Sequence, residues 1–134
     1  MKIFVTLRAI RADPTIPTLA DLLETELTRA GHTPFIASRA LEKRGLHPGF
    51  MRYIRTELES SDLLLLMYHP DLRGGLIEQG IAYALNIPVW LAHPVGLKIS
   101  TTARECATRL IPYQDESDLI LQLQQNLTLQ KETP

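Results

Sequence analysis

Glu78 is the residue of this chain best placed for chemistry. It stands three residues after Gly74-Gly75, and behind that turn lies the run Asp62-Leu63-Leu64-Leu65-Leu66-Met67, which reads as a buried strand. A strand, a glycine turn and a helix with a carboxylate near its start form a binding-site geometry. In an open parallel sheet such a turn lies at the carboxyl end of the strand, where ligands bind. The free N–H groups of the helix start face the same place. A carboxylate in the first helical turn is favoured in its charged form by roughly 0.3 to 1 kcal/mol, so Glu78 is expected to be ionised at neutral pH. An ionised carboxylate in a cleft can attack an electrophilic carbon or stabilise a developing cation, as in retaining glycosyl transfer. Gly80, two residues on, costs the helix about 1 kcal/mol relative to Ala, which suggests close packing or ligand approach at that point.

Other chemistries find less support. His32, His47, His69 and His93 show no metal-ligand spacing. Gly74-Gly75 lacks the Gly-Lys-Ser/Thr ending of a Walker loop. Cys106 reads as a mid-helix packing residue with nothing beside it to activate the thiol, and Trp90 as core.

The elements that would position Glu78 follow from periodicity. Lys2 to Leu7 is the first strand. Thr18-Leu19-Ala20-Asp21 resembles a capping box and opens a helix from about 18 to 30, stopped by Gly31. Thr33 to Ala37 is the second strand, and Pro48-Gly49 begins a helix with Phe50, Met51, Ile54 and Leu58 on one face. The third strand is 62–67, the third helix about 76–86, and the fourth strand Pro88 to Ala92. Ser100 or Thr101 caps a fourth helix to about Arg109, Leu110 to Tyr113 is a short fifth strand, and Leu119, Ile120, Leu123 and Leu127 mark a closing helix. Residues 129–134 are expected to be a frayed tail on a single domain of residues 1–128. This alternation, with near-continuous apolar third and fourth strands, predicts an α/β fold: a doubly wound, flavodoxin-like, Rossmann-like parallel sheet in the order 2-1-3-4-5 with helices on both faces. The switch point then lies between strands one and three, so the loops Thr6–Pro14 and Tyr68–Gly75 border one crevice.

Composition narrows the partners. At 134 residues, 45% hydrophobic and 22% charged, the chain is globular and long enough for one core. A formal charge of −1 without a basic run gives no electrostatic case for a nucleic acid polymer or a membrane surface, whereas a small ligand fits. The single Cys106 allows no intrachain disulfide, and Met1-Lys2-Ile3-Phe4-Val5 is too short for a signal segment; a cytoplasmic protein is expected.

The segment Glu78-Gln79-Gly80-Ile81-Ala82-Tyr83-Ala84-Leu85-Asn86-Ile87-Pro88-Val89, preceded by Gly74-Gly75 and a strand leading to Asp71, resembles the signature of the nucleoside 2-deoxyribosyltransferase superfamily, with Gln79 where Leu is usual. The resemblance implies that Glu78 is the nucleophile that attacks C1′ of a sugar. Within the superfamily the chain is more similar to the 2′-deoxynucleoside 5′-phosphate N-hydrolases, whose Ser-Ile-Arg after the first strand holds the 5′-phosphate; Thr6-Leu7-Arg8 stands there. Arg8 suits that role because a guanidinium matches a phosphate fork. Arg73 is a second phosphate candidate. Asp71 replaces a phosphate-binding serine and instead resembles the base-contacting acid of the transferases. Ser100 matches a serine that the family contributes from a neighbouring subunit. The family's second-helix acid falls on Ile54, between Tyr53 and Arg55, and is missing.

These residues imply cleavage of the base–sugar bond of a nucleoside or deoxynucleoside 5′-monophosphate, with no metal or organic cofactor. Asp71, Tyr68 and His69 are the candidate donors to the leaving base; Thr6, Arg8, His69, Arg73, Gly74, Gly75 and Ser100 are the candidate substrate contacts. Base exchange between nucleosides and non-catalytic nucleotide sensing are the alternatives. The working unit is expected to be a homodimer or higher homo-oligomer, with Ser100 and the loop Pro94–Ile99 completing a neighbour's cleft and Leu76, Ile81 and Tyr83 contributing to the interface.

Overall fold

The computed structural model describes residues 1–8, 15–45 and 47–132. Their elements alternate: β1 Lys2–Thr6, α1 Ile16–Arg29, β2 Thr33–Ile36, α2 Ala37–Arg44, α3 Phe50–Glu59, β3 Leu63–Met67, α4 Gly74–Ala84, β4 Val89–Pro94, α5 Thr101–Glu105, β5 Arg109–Tyr113 and α6 Glu116–Glu132. The five strands form one sheet in the order β2-β1-β3-β4-β5, every pair parallel. The expected doubly wound topology is the one observed.

The sheet is buried on both sides because its strands are apolar at nearly every position. In β3 all five residues, Leu63–Met67, are buried. Ile3, Val5, Leu63, Leu65, Met67, Trp90 and Ala92 face α1 and α6, where Leu23, Leu27, Leu119 and Leu123 close the layer. The alternate residues Phe4, Leu64, Leu66, Val89 and Leu91 face α3, α4 and α5, meeting Phe50, Ile54, Leu58, Ala82 and Ala103. Trp90 is therefore core, as its position in a central strand requires.

Several boundaries differ from the sequence reading. α1 starts at Ile16, two residues before the Thr18 box, with Pro17 in its first turn, where a missing N–H costs nothing. It ends as expected: Gly31 at φ 89° lets the His32 N–H reach Leu27 O at 3.0 Å and its own N–H reach Thr28 O at 3.0 Å. α2 was not anticipated; only Ala37 and Leu41 mark its inner face, too few to set a period. α5 is shorter than expected, so Cys106 is its C-cap and not a mid-helix residue, while Thr108 pairs back to Val89 through N–H···O at 2.8 Å. α6 continues through Glu132, because Gln130, Lys131 and Glu132 are good helix formers and no breaker intervenes. Residues 9–14 of the first crevice loop lie outside the described residues.

Candidate active site

The carboxyl ends of β1 and β3 open onto a cleft of about 260 Å³. Thr6, Leu7 and Arg8 form one side, Asp71 to Gly75 and Glu78 another, and Ser38, Leu41, Phe50, Met51 and Ile54 an apolar wall. Among the described residues, Thr6 to Arg8 of the first loop that the switch-point rule selects and Asp71 to Gly75 of the second border one crevice. The wall from α2 and α3 was not foreseen, since its α3 residues read only as a helix core face and α2 had no visible pattern.

Glu78 is only 7% exposed. It is the fifth residue of α4, two residues deeper than the sequence suggested and so in the second turn, because the helix begins at Gly74 and not at Leu76. The first-turn argument for an ionised carboxylate therefore fails. Burial pushes its pKa from the ordinary 4.5 up to about 7, and a hydrogen bond from Thr6 opposes that rise. Thr6 Oγ1 donates to Glu78 Oε1 at 3.1 Å, while Oε2 is buried and has no hydrogen-bond partner among the described residues. A carboxylate of this kind is half ionised near neutrality and weakly solvated, which suits a nucleophile or a proton-transfer group.

Gly75, not Gly80, is the glycine that the site requires. A Cβ on Gly75 would stand 2.7 Å from Thr6 Oγ1 and 2.8 Å from Leu72 Cδ1, whereas a Cβ on Gly80 meets nothing within 4 Å. The absent side chain lets the first turn of α4 press against β1, and so lets Thr6 reach Glu78. Gln79, which stands where the resembled signature has Leu, is 2% exposed and donates from Nε2 to Ala103 O at 2.8 Å, tying α4 to α5.

The remaining candidates divide. Arg8 lines the cleft with its side chain 16% exposed, and its Nη1 lies 3.9 Å from Oδ2 of Asp71, which is exposed at the rim. Arg73 and Gly74 line the same rim. Tyr68, by contrast, points into the core among Leu72, Ile99 and Ala103, and its hydroxyl oxygen accepts the Ser100 N–H at 3.1 Å. It is buried by the strand alternation that also buries Leu64 and Leu66, so it does not face the cleft of its own chain. His69 turns outward and closes its own loop: Nδ1 accepts the Asp71 N–H at 3.0 Å. Ser100 is an N-cap that accepts the Ala103 N–H at 3.3 Å, and it too stands outside this cleft. Ile54, at the position where the resembled family carries an acid, lies in the apolar wall. Neither neighbour replaces it, because Tyr53 lies under the Arg44 guanidinium at 3.7 Å and Arg55 pairs with Glu59 at 2.8 Å. Among the described residues no group of three or more His, Cys, Asp or Glu side chains could hold a metal ion, and no helix is long and apolar enough to cross a membrane.

No family profile matches the sequence, and no curated protein matches it. Solved structures do resemble it. The CMP N-glycosidase BcmB of Clostridium botulinum superposes with a TM-score of 0.74 at 14% identity over 94% of this chain and 99% of that one. A 2-deoxyribosyltransferase of Bacillus psychrosaccharolyticus gives 0.70 at 19% identity over 90% of each chain. A conserved protein of Enterococcus faecalis V583 gives 0.63 at 15% identity over 94% of this chain and 99% of that one. At these identities the likeness is one of architecture: the chain has the doubly wound, flavodoxin-like α/β fold on which an N-glycosidase and a deoxyribosyltransferase are both built.

Proposed function

We propose that this chain cleaves the N-glycosidic bond of a nucleoside or deoxynucleoside 5′-monophosphate, with Glu78 as nucleophile, as a member of the nucleoside 2-deoxyribosyltransferase superfamily. The observation that carries the reading is the Glu78 carboxylate itself: buried, held by one oxygen, and set in the cleft at the switch point of the sheet. Two neighbours of like fold, named as a CMP N-glycosidase and a 2-deoxyribosyltransferase, support the same class of reaction.

In this reading a Glu78 oxygen forms a bond to C1′ as the carbon–nitrogen bond breaks, and the electron pair leaves with the base, which takes up a proton. Water then attacks C1′, the carboxylate departs with its pair, and the water's proton passes to solvent. No metal or organic cofactor enters, since the electrophile is the sugar and the nucleophile a side chain. Asp71 is the candidate best placed on the rim to contact the leaving base, because Tyr68 is committed to the core and His69 to its own loop, and the base takes its proton from solvent. Arg8 and Arg73 bind the phosphate. Thr6 has one hydroxyl proton and gives it to Glu78, so it is a poor phosphate donor. The Asp71 carboxylate at the rim also favours the second reading, base exchange, because it stands near Arg8 and opposes an anion there. The active unit is a homo-oligomer in which Ser100 and residues 94–99 serve a neighbouring cleft; exposed Leu76 and Tyr83 on α4 suit such contact, whereas Ile81 is partly buried against the core and exposed Ile77 stands in its place.

The test is incubation with a panel of nucleosides and nucleoside monophosphates, read by chromatography for released base. Hydrolysis without an acceptor supports the first reading, and dependence on an added base supports the second. Binding without turnover would indicate a sensing domain. Glu78→Gln should lower turnover by several powers of ten, the scale on which nucleophile deletions act. Activity within about tenfold of wild type in Glu78→Gln removes it from the mechanism.

A further inference from the structure

We infer that Thr6 is a positioning residue for the catalytic carboxylate: its hydroxyl fixes Glu78 Oε1 against the end of β1, leaves Oε2 without an anchor, and depends on Gly75 for the space to do so. The inference rests on the proposed role of Glu78 and assigns Thr6 a different task from phosphate binding.

Three observations converge. Thr6 is 1% exposed on the last position of β1, where the register Thr6↔Leu66 holds its backbone in the sheet. A β-branched side chain on a strand has few rotamers, so the hydroxyl direction is set by the backbone and not by the ligand. Its oxygen lies 3.1 Å from Oε1, in a buried contact between residues 72 positions apart. Lastly, the α4 backbone at Gly75 comes so near that any Cβ there would collide with that same Oγ1. A glycine at this point is what allows a helix bearing the nucleophile to sit beside a strand bearing its anchor.

The chemistry divides the two oxygens. Oε1 takes the only proton that Thr6 can donate. Oε2, buried and without a partner among the described residues, is free of that anchor, and the carboxylate supplies the electron pair that forms the bond to C1′ while the base leaves with the pair of the broken bond. When water later displaces the carboxylate, the returning charge is again met at Oε1 by the hydroxyl. The same bond works against the desolvation that raises the proton affinity of Glu78. Among the described residues, the charged groups that line the cleft with this carboxylate are Arg8 from the end of β1 and Asp71 and Arg73 from the turn before α4; α2 and α3 present Ala37, Ser38, Leu41, Phe50, Met51 and Ile54.

The experiment compares Thr6→Val, Thr6→Ser and Glu78→Gln in the full chain, with kcat, KM and the pH profile measured on the nucleoside monophosphate that wild type turns over best. Thr6→Val keeps the shape and the β-branch but removes the donor. It should lower kcat by roughly 10- to 100-fold, the span of one hydrogen bond to a charged group. KM should stay within about threefold, and the rising limb of the pH profile should move to higher pH. Thr6→Ser should restore most of the rate and the original profile, and Thr6→Ala serves as second donor-free variant if Val disturbs the strand. An unchanged kcat and pH profile in Thr6→Val and Thr6→Ala, beside an inactive Glu78→Gln, overturns the role of Thr6 and leaves the nucleophile in place. A raised KM for monophosphates alone, with kcat intact, also overturns it and returns Thr6 to the phosphate. Full activity in Glu78→Gln removes the nucleophile reading, and the role of Thr6 with it.

Discussion

Replacing Glu78 by Gln should stabilise the protein, and by an amount that depends on pH. Glu78 is 7% exposed, and its pKa is raised from 4.5 to about 7, so the folded state holds a proton that the unfolded state releases. Between these two pH values the folded chain binds more protons than the unfolded chain, and stability therefore falls as pH rises. Below 4.5 both states are protonated and the group costs nothing; above 7 the whole cost of burying the charge is present. The gap between 4.5 and about 7, at roughly 1.4 kcal/mol per tenfold change in proton affinity, gives about 3 kcal/mol. Gln has the same shape, can accept from Thr6 through its amide oxygen, and does not titrate. Urea unfolding of wild type and Glu78→Gln from pH 4 to pH 8.5 should show midpoints that coincide in acid and separate through neutrality, with the variant about 3 kcal/mol more stable at the alkaline end. Curves that stay parallel across this range would refute the argument, because a carboxylate that costs nothing to ionise is not desolvated.

Catalysis should follow the same titration from the other side: kcat/KM of wild type should rise through an apparent pKa near 7 and not near 4.5, since only the ionised form attacks. Arg8→Ala should weaken monophosphates by about 1.5 to 3 kcal/mol while leaving unphosphorylated nucleosides nearly unchanged, as measured by titration calorimetry. Equal loss for both ligands would show that Arg8 acts generally. Gly75→Ala should cost about 1 to 3 kcal/mol through its collision with Thr6 and Leu72, whereas Gly80→Ala should raise the melting temperature, by the equivalent of up to about 1 kcal/mol. A reversed order in thermal unfolding would sink the assignment of Gly75 as the close contact. Mixing inactive Glu78→Ala with a variant of the 94–100 loop should restore some activity through hybrid sites, and an active monomer in the ultracentrifuge would defeat the shared-cleft reading.

The sheet was legible in the sequence because five short apolar runs, spaced by helical patterns, admit few other arrangements, and order 2-1-3-4-5 put the ends of β1 and β3 at one crevice. Glu78 was legible through its place after a strand and a glycine turn. Its protonation was not: a shift of two residues in the start of α4 moves the side chain from a solvated first turn to a buried second one, and element boundaries are weakly written in sequence. The functions of the two glycines were exchanged for a related reason. Sequence marks both Gly75 and Gly80 as breaks in propensity, but only the packing of α4 on β1 says which one a neighbour touches. Tyr68 and His69 looked like cleft residues from their position after β3, yet strand alternation sent the first into the core and a local turn took the second. The apolar wall was illegible, since α2 has too few apolar residues to reveal its period.

That lightly written helix has a dynamic consequence. Of the residues in α2 only Ala37 is buried, and its outward ties are the pairing of Arg39 with Asp21 and Glu24 on α1 and the Arg44 guanidinium over Tyr53 of α3, surface contacts that contribute little. The opposite bank of the cleft is welded to β1 and β3. Amide protons of α2 should therefore exchange with solvent long before those of the sheet, and a ligand lying against Ser38 and Leu41 should slow them selectively. Hydrogen exchange at α2 then reports occupancy of the cleft whether or not any bond is cleaved, which makes it a means of screening ligands against the inert Glu78→Gln protein.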